Sequence, residues 1–128
     1  MKYFLLLIML PISIFCFSQK VNPQQILIKN ADSFLENDKA EAANKIYKTL
    51  IQDFSKNGFS DSTKAYIFSQ YAMSFGYQSD WENALKYSHQ ATAIYKKSLG
   101  ESHKKTIDEY YNLGYAHSAL EDFDSLSF

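Results

Sequence analysis

A repeat with a spacing of 41 to 42 residues is the feature that most limits how this chain can fold. The stretch YAMSFGYQSDWENAL, residues 71–85, aligns with LGYAHSALEDFDSLS, residues 113–127, and an earlier copy reads NADSFLENDKAEAANKIY. Self-similarity at a fixed spacing is the sequence signature of stacked structural repeats, in which each unit buries its apolar face against the next. The copies align small residues with one another, Ala31 with Ala72 and Gly114, and Ala43 with Ala84.

Each copy predicts two helices joined by a polar bend. Apolar residues recur at spacings of three and four, and the chain has only four glycines and two prolines, which favours helix over a turn-rich β fold. Asn22 before a proline and Ser79 in SDWE are helix-starting signals, and Gly100 is a helix-ending one. The pattern predicts a fifth helix over residues 102–120 and a short sixth in DFDSLSF.

Small and large side chains alternate between the predicted helices in a way that indicates how they pack. Small residues let two helix backbones approach closely where a pair crosses, and aromatic residues fill the gaps between pairs. The residues predicted to pack the repeats in these two ways are Ala31, Ala43, Ala72, Ala84 and Gly114 at the crossings, and Trp81 and Phe123 in the gaps.

This pattern resembles the tetratricopeptide repeat, in which Leu113-Gly114 matches a signature pair. The spacing exceeds the ordinary period of about 34 residues, so the chain is most similar to the longer-helix variant of the kinesin light chain type. There a segment LG-x-x-H-P-x-T joins one repeat to the next, and here LGESHKKT carries Lys104 in place of the proline. The resemblance covers residues 24–128 and implies an all-α fold, a right-handed solenoid of antiparallel helix pairs with about two and a half repeats.

The segment LGESHKKT, residues 99–106, has two interpretations, a ligand-holding loop and a bend between two helices. A phosphate loop needs a glycine-rich run within a strand–helix unit, and the sequence around this segment predicts neither. We therefore expect a turn between repeats, in which Gly100 ends one helix and Ser102 caps the next. His103 and Thr106 would then form local hydrogen bonds in the first turn.

The amino terminus predicts export. Lys2 precedes an apolar run of 15 residues, which is shorter than the roughly 20 that a membrane-spanning helix needs and is typical of a signal peptide. Small residues before Gln19 predict cleavage there, leaving 19–128 as one helical repeat domain without a membrane span, in the periplasm or outside the cell. The alternatives are a retained anchor and a lipoprotein modified at Cys16, which the large Phe15 disfavours.

Composition argues against several classes of function. The chain has no arginine, and the predicted mature part balances 12 lysines against 14 acidic residues, so nucleic acid is not an expected partner. Its single cysteine lies in the predicted leader, which removes disulfide and thiol chemistry from the mature part. The three histidines are 14 residues apart without a close pair, so we expect no metal, no cofactor and no catalytic residues.

The resemblance implies that the first helix of each pair lines a concave groove that binds a protein or peptide. Tyrosine and methionine suit such a surface because they bury a large area at a small cost in side-chain entropy; the alternative is that the tyrosines pack between helix pairs. The candidate groove residues are Gln25, Asp32, Tyr66, Met73, Tyr77, Asp108, Tyr111 and Tyr115. The family's clamp for chaperone carboxyl-terminal tails needs lysine and asparagine at positions that hold Ile28, Asp32, Ser69 and Met73 here.

Two hypotheses for function follow. The first is an exported scaffold module that binds a protein or peptide and has no catalysis of its own. The second is the sensory or scaffold part of a larger enzyme, such as a caspase-like peptidase or a membrane histidine kinase, with the effector domain beyond Phe128. The second hypothesis rests on DFDSLSF, which would leave apolar residues uncovered where arrays normally end in a polar capping helix.

Overall fold

The computed structural model of the protein describes residues 22–126, which form five helices and no strand. The helices are α1 (Pro23–Glu36), α2 (Ala40–Gln52), α3 (Asp61–Gly76), α4 (Trp81–Leu99) and α5 (Lys104–Ser125). The predicted leader, residues 1–18, and the last two residues lie outside the described part, as does the side chain of Phe123.

Side chains that precede four of the five helices satisfy backbone N–H groups that have no partner inside the helix: Asn22, Ser60, Asp80 and His103. Asn22 accepts from the Gln24 N–H at 3.0 Å, as its place before Pro23 predicted. The cap of α4 differs from the prediction, because Asp80 rather than Ser79 accepts from the first turn. Ser79 has a φ of 59°, outside the helical region, so α4 begins two residues after it.

The segment LGESHKKT forms the predicted turn between α4 and α5. The Gly100 N–H donates to the Lys96 carbonyl at 3.1 Å, and the buried Thr106 hydroxyl donates to the Gly100 carbonyl at 2.8 Å. The cap of α5 is His103 instead of Ser102, because His103 Nδ1 accepts from the Lys105 N–H at 3.2 Å. His103 is therefore part of a helix start.

The helices pack as two antiparallel pairs, α1 with α2 and α3 with α4, and α5 adds the first helix of a third unit against α4. The small residues predicted at the two crossings are buried, each less than 5% exposed: Ala31, Ala43, Ala72 and Ala84. Tyr47, Leu50 and Ile67 fill the junction between the pairs and are almost fully buried. Two and a half units of a helical repeat solenoid are therefore confirmed over residues 22–126.

Aromatic rings contribute to the contact between α3, α4 and the turn that follows α2. The Phe68 ring lies edge-on to Phe54 at 5.2 Å and stacks on Tyr87 at 6.1 Å. Tyr87 also stacks on Phe75, with 5.7 Å between ring centroids and 6° between ring planes. Offset and edge-on arrangements of this kind stabilise aromatic pairs. Tyr87, which is not one of the candidate groove tyrosines, thus packs α4 against α3.

The predicted break after Leu120 is wrong, because α5 continues without a bend to Ser125. In the second copy the bend depends on Ser79, whose φ is 59°, and the aligned residue Glu121 stays helical. No glycine or proline occurs after Gly114, so nothing interrupts the helical hydrogen bonds. Consequently Phe123 lies within a helix, whereas its repeat counterpart Trp81 starts one.

Gly114 also departs from its prediction. It was expected at a crossing of two helices, but Gly114 is exposed, and a Cβ added to it would meet nothing within 4 Å. The reason is the continuity of α5, since the described residues form no sixth helix that could cross it.

Candidate functional site

The candidate groove is formed by α1, α3 and α5, the first helices of the three units. The structure divides the predicted groove residues into two groups. Asp32 and Tyr66 are half-buried and bound to each other, whereas Met73, Tyr77 and Tyr115 are exposed around a common pocket. The groove thus has a closed part between α1 and α3 and an open part between α3 and α5.

The closed part centres on the carboxylate of Asp32 in α1. The Tyr47 hydroxyl donates to Oδ1 at 2.5 Å and the Tyr66 hydroxyl donates to Oδ2 at 2.8 Å, while Gln70 donates to the Tyr66 oxygen at 3.2 Å. Burial and the hydrogen bond to Asp32 raise the pKa of both tyrosines above the ordinary value. Both oxygens of the carboxylate are engaged, so this part of the groove is a structural contact between the first two pairs.

The open part is a pocket of about 430 Å³ between α3, α4 and α5. The Trp81 ring lies edge-on to the Tyr115 ring, with 5.7 Å between centroids and 75° between planes. Met73 is 39% exposed, and Tyr77 and Tyr115 are 65% and 68% exposed, so their side chains stand at its opening. The lining residues are Ser69, Ala72, Met73, Gly76, Tyr77, Trp81, Ala84, Ser88, Asn112, Tyr115 and Ala116.

Small residues on all three helices create the space for this pocket. Ala72, Ala84 and Ala116 are buried and contribute only methyl groups to its floor. Gly76 allows Trp81 to lie against the end of α3, because a Cβ at Gly76 would stand 3.2 Å from the Trp81 ring. The repeat alignment identified Trp81 as a packing residue and missed Gly76, although GYQSDW places a glycine five residues before the tryptophan.

Glu109 is a buried carboxylate beside the pocket that the sequence interpretation missed. Its side chain is 4% exposed, and Oε1 accepts a short hydrogen bond from the Ser69 hydroxyl of α3. Asn112 lies close to the carboxylate, and Oε2 has no hydrogen-bond partner of ordinary geometry among the described residues. Burial raises the pKa of Glu109. The sequence feature that could have indicated its burial is its position in α5, on the same side of the helix as the buried Thr106 and Ala116.

The other predicted groove residues lie outside the pocket. Gln25 is exposed on the first turn of α1, and Tyr111 is 76% exposed on α5. Asp108 forms an ion pair with Lys104 at 2.8 Å, which is a surface pair within one helix. The structure therefore brings together three of the eight predicted groove residues in one cavity, Met73, Tyr77 and Tyr115.

Residues 22–126 show neither a metal-binding cluster nor a membrane-spanning helix. Within this range no group of three or more histidine, cysteine, aspartate or glutamate residues could hold a metal ion. The rings of His89 and His117 are 6.0 Å apart on α4 and α5, whereas His103 belongs to the turn before α5. None of the helices in the described part is long and apolar enough to cross a membrane.

Comparison with known families agrees with this architecture. Residues 63–125, which span most of α3 and all of α4 and α5, match the model of the tetratricopeptide repeat family. No curated protein and no solved structure matches the chain. In the first pair, α1 and α2, the aligned alanines Ala31 and Ala43 are likewise buried at the crossing. The matched repeat and the stacked helix pairs together show that this chain is a member of the tetratricopeptide repeat family.

Proposed function

We propose that this protein is a scaffold module that binds a protein or peptide in the groove between α3 and α5. The observation that carries the proposal is the open pocket of about 430 Å³, where Trp81 and the exposed Tyr77 and Tyr115 surround small residues. Monomeric proteins seldom expose large aromatic groups around a cavity unless the surface binds a partner. Membership of the tetratricopeptide repeat family supports the same class of function.

The proposal includes no catalysis by this chain. Tetratricopeptide repeats are typically scaffold modules without catalytic chemistry. The buried carboxylate with a raised pKa, Glu109, is closed off from solvent and bound to Ser69. A general acid or base must lie within hydrogen-bond reach of its substrate, so this placement supports a structural role for Glu109.

Site-specific photocrosslinking tests the binding proposal. A photoreactive amino acid is introduced at Tyr77, at the opening of the pocket, or at Lys48, which is exposed on α2. After irradiation of intact cells, we expect a discrete protein adduct at position 77, lost when Tyr115→Ala is added, and no such adduct at position 48. Equal adducts at both positions, or none at position 77, would contradict binding through this groove.

Export is a second element of the proposal. It is supported by the positive Lys2 and the apolar run that follows it, with small residues before Gln19. Mass spectrometry of the protein expressed with its leader is expected to find an amino terminus within about two residues of Gln19, outside the cytoplasm. Recovery of an intact Met1 terminus on the accumulated product would exclude cleavage.

The alternative function is that of a sensory or scaffold part of a larger enzyme. One observation favours it. Ala72 in α3 is covered by α4, whereas the aligned Gly114 in α5 is open and its neighbours Ile107 and Tyr110 are 40% and 42% exposed. A following helix of a longer protein would cover this side of α5 as α4 covers α3. Reading the gene beyond the codon of Phe128 distinguishes the alternatives, because an effector domain there would place this module in an enzyme.

A further inference from the structure

The two segments that supply most of the pocket lining carry negative charge only. Residues 65–85 contain Asp80 and Glu82, and residues 106–128 contain five acidic residues, while neither segment contains a lysine or an arginine. Half of the 14 acidic residues of the chain, and none of its 13 lysines, therefore lie in these segments. A surface of one charge sign around an apolar cleft attracts the opposite sign.

Three lysines directly border these segments, Lys64, Lys86 and Lys105, and aromatic contacts engage Lys86 and Lys105. Lys86 lies over the Tyr87 ring with its Nζ 5.3 Å from the centroid, and Lys105 lies over the Tyr95 ring at 5.8 Å. Lys104 forms its ion pair with Asp108. The Lys104 ion pair offsets the charge of Asp108, and Glu109 is buried, so the acidic character of the two segments comes from the other five acidic residues.

The pocket itself fits an uncharged side chain of large size. Its volume of about 430 Å³ lies in the lower part of the range of ligand pockets, roughly 300–1,000 Å³. The walls are the Trp81 and Tyr115 rings and the Met73 side chain, and the polar lining groups are Ser69, Ser88 and Asn112. Tyr77 and Tyr115 expose their rings at the opening, and the faces of such rings attract cations.

We propose, as a refinement that rests on the binding function above, that the pocket receives a large apolar side chain of a peptide segment whose flanking residues are basic. The apolar side chain is buried between Trp81, Tyr115 and Met73. The basic residues on either side lie over the exposed tyrosine rings and within the field of the acidic segments. Charge complementarity of this kind steers association and selects the partner.

The single tryptophan of the chain reports directly on this event, because Trp81 lines the pocket. The purified protein is titrated with three synthetic peptides of about ten residues: one with a central leucine flanked by lysines, one with the same leucine flanked by glutamates, and one with alanine in place of the leucine between lysines. We expect a change in tryptophan emission with the first peptide and binding at least about tenfold weaker for the other two. We also expect the affinity of the first peptide to fall as salt is raised.

A matched pair of variants locates the binding. Tyr115→Ala removes a wall of the pocket, whereas Tyr111→Ala removes a similarly exposed tyrosine of α5 outside it, and both should retain the circular dichroism of the parent protein. We expect only Tyr115→Ala to lose the lysine–leucine peptide. Met73→Lys places a positive charge in the pocket and should weaken the same peptide while strengthening the glutamate-flanked one.

Each outcome bears on the proposal. If the glutamate-flanked peptide binds as tightly as the lysine-flanked one, and Tyr115→Ala abolishes both, the basic preference is wrong although the groove still binds peptides. If the peptides bind with equal affinity to the parent protein and to Tyr115→Ala, or if no peptide changes the emission, the pocket is not the receiving site. The crosslinking at position 77 then decides separately whether the groove binds any protein.

Discussion

The Tyr66 hydroxyl in α3 donates a hydrogen bond of 2.8 Å to the carboxylate of Asp32 in α1, and so joins the first helix pair to the second. The other oxygen of the same carboxylate accepts from Tyr47, whose side chain is fully buried in α2. One acidic residue therefore connects three helices. Hydrogen bonds to a charged acceptor are stronger than those between neutral groups, so this contact should fix how the two pairs stack.

Removing this acceptor should destabilise the fold. Asp32→Ala leaves the buried Tyr47 hydroxyl without a partner, which should lower the free energy of unfolding by about 1–3 kcal/mol. Tyr66→Phe removes only one donor and should cost about 1 kcal/mol. Glu36→Ala, an exposed change on the same helix, is the control and should stay within about 0.5 kcal/mol. Urea unfolding measures all three, and equal effects of Asp32→Ala and Glu36→Ala would contradict the role of the carboxylate.

This contact illustrates what the sequence could and could not predict. The repeat spacing and the helical periodicity placed Asp32 and Tyr66 correctly on the first helices of their pairs. They did not predict that the two side chains bind each other, because such a bond depends on the stacking of helices 34 residues apart in the chain. Met73, Tyr77 and Tyr115 were predicted on the same face, and the structure adds the cavity that Gly76 opens between them.

The two largest errors have local physical causes. The helix break predicted before Phe123 was carried over from the second copy, where Ser79 leaves the helix with a φ of 59°. The third copy has Glu121 at the aligned position, and a long side chain without a nearby glycine or proline keeps the helix intact. Glu109 was missed because a carboxylate on the buried side of a helix contradicts simple patterning, and its hydroxyl partner, Ser69, is 40 residues away.

The buried tyrosines should make the protein sensitive to alkali. Burial raises the pKa of Tyr71 and of Tyr95 to about 12, and also raises that of Tyr47. A tyrosine in the unfolded chain ionises near pH 10. The unfolded state thus loses protons first, and the free energy of unfolding should fall between about pH 10 and 12.

Tyr95→Phe tests this effect, and Tyr111→Phe is its control. Tyr95 is 3% exposed, and the variant should reduce the slope of stability against pH by about 1 kcal/mol per pH unit near pH 11. Tyr111→Phe changes a tyrosine that is 76% exposed and should leave the slope unchanged. Urea unfolding at a series of pH values provides the measurement. A slope that is the same in the parent and in Tyr95→Phe would show that this tyrosine is not buried in the folded protein.

Glu109 should reduce stability at neutral pH. Burial raises the pKa of the Glu109 carboxyl in the folded protein. As pH rises from about 4, the carboxyl therefore loses its proton first in the unfolded chain. The stability that the protonated carboxyl gives the folded state is then lost as pH passes the raised pKa. Glu109→Gln retains an oxygen to accept from Ser69 and removes the buried charge. Chemical unfolding should show the variant about 1–3 kcal/mol more stable at pH 7.5 and nearly equal to the parent at pH 4. A gain of the same size at both pH values would contradict an ionised Glu109.

The crossing alanines should differ in their tolerance of a larger side chain. Ala43→Leu places extra volume at the crossing of α1 and α2, where the residue is fully buried, and should cost about 1–3 kcal/mol. Ala84 also lines the pocket, so Ala84→Leu can extend into empty space and should cost less. Ala42→Leu, at the neighbouring half-buried position, serves as the control. Thermal unfolding gives the order of the three, and a larger loss for Ala84→Leu than for Ala43→Leu would mean that the pocket is closed in solution.

The last prediction compares the same substitution at two glycines. Gly100 has a φ of 90°, which a residue with a Cβ adopts only with strain, so Gly100→Ala should lower the free energy of unfolding by about 1 kcal/mol or more. Gly114 lies inside α5 with open space around it, so Gly114→Ala should raise it by about 0.5–1 kcal/mol, the difference in helix propensity. Denaturant unfolding of both variants measures whether each substitution lowers or raises the free energy of unfolding.

The sign at Gly114 also tests the open side of α5. A loss of stability in Gly114→Ala, measured on a protein whose helix content is unchanged, would mean that another segment packs closely against this position in solution. The added methyl group would then meet that segment, as a larger side chain at Ala72 would meet α4. A gain, together with a loss in Gly100→Ala, would show that α5 presents this side to solvent and that the turn after α4 depends on its glycine.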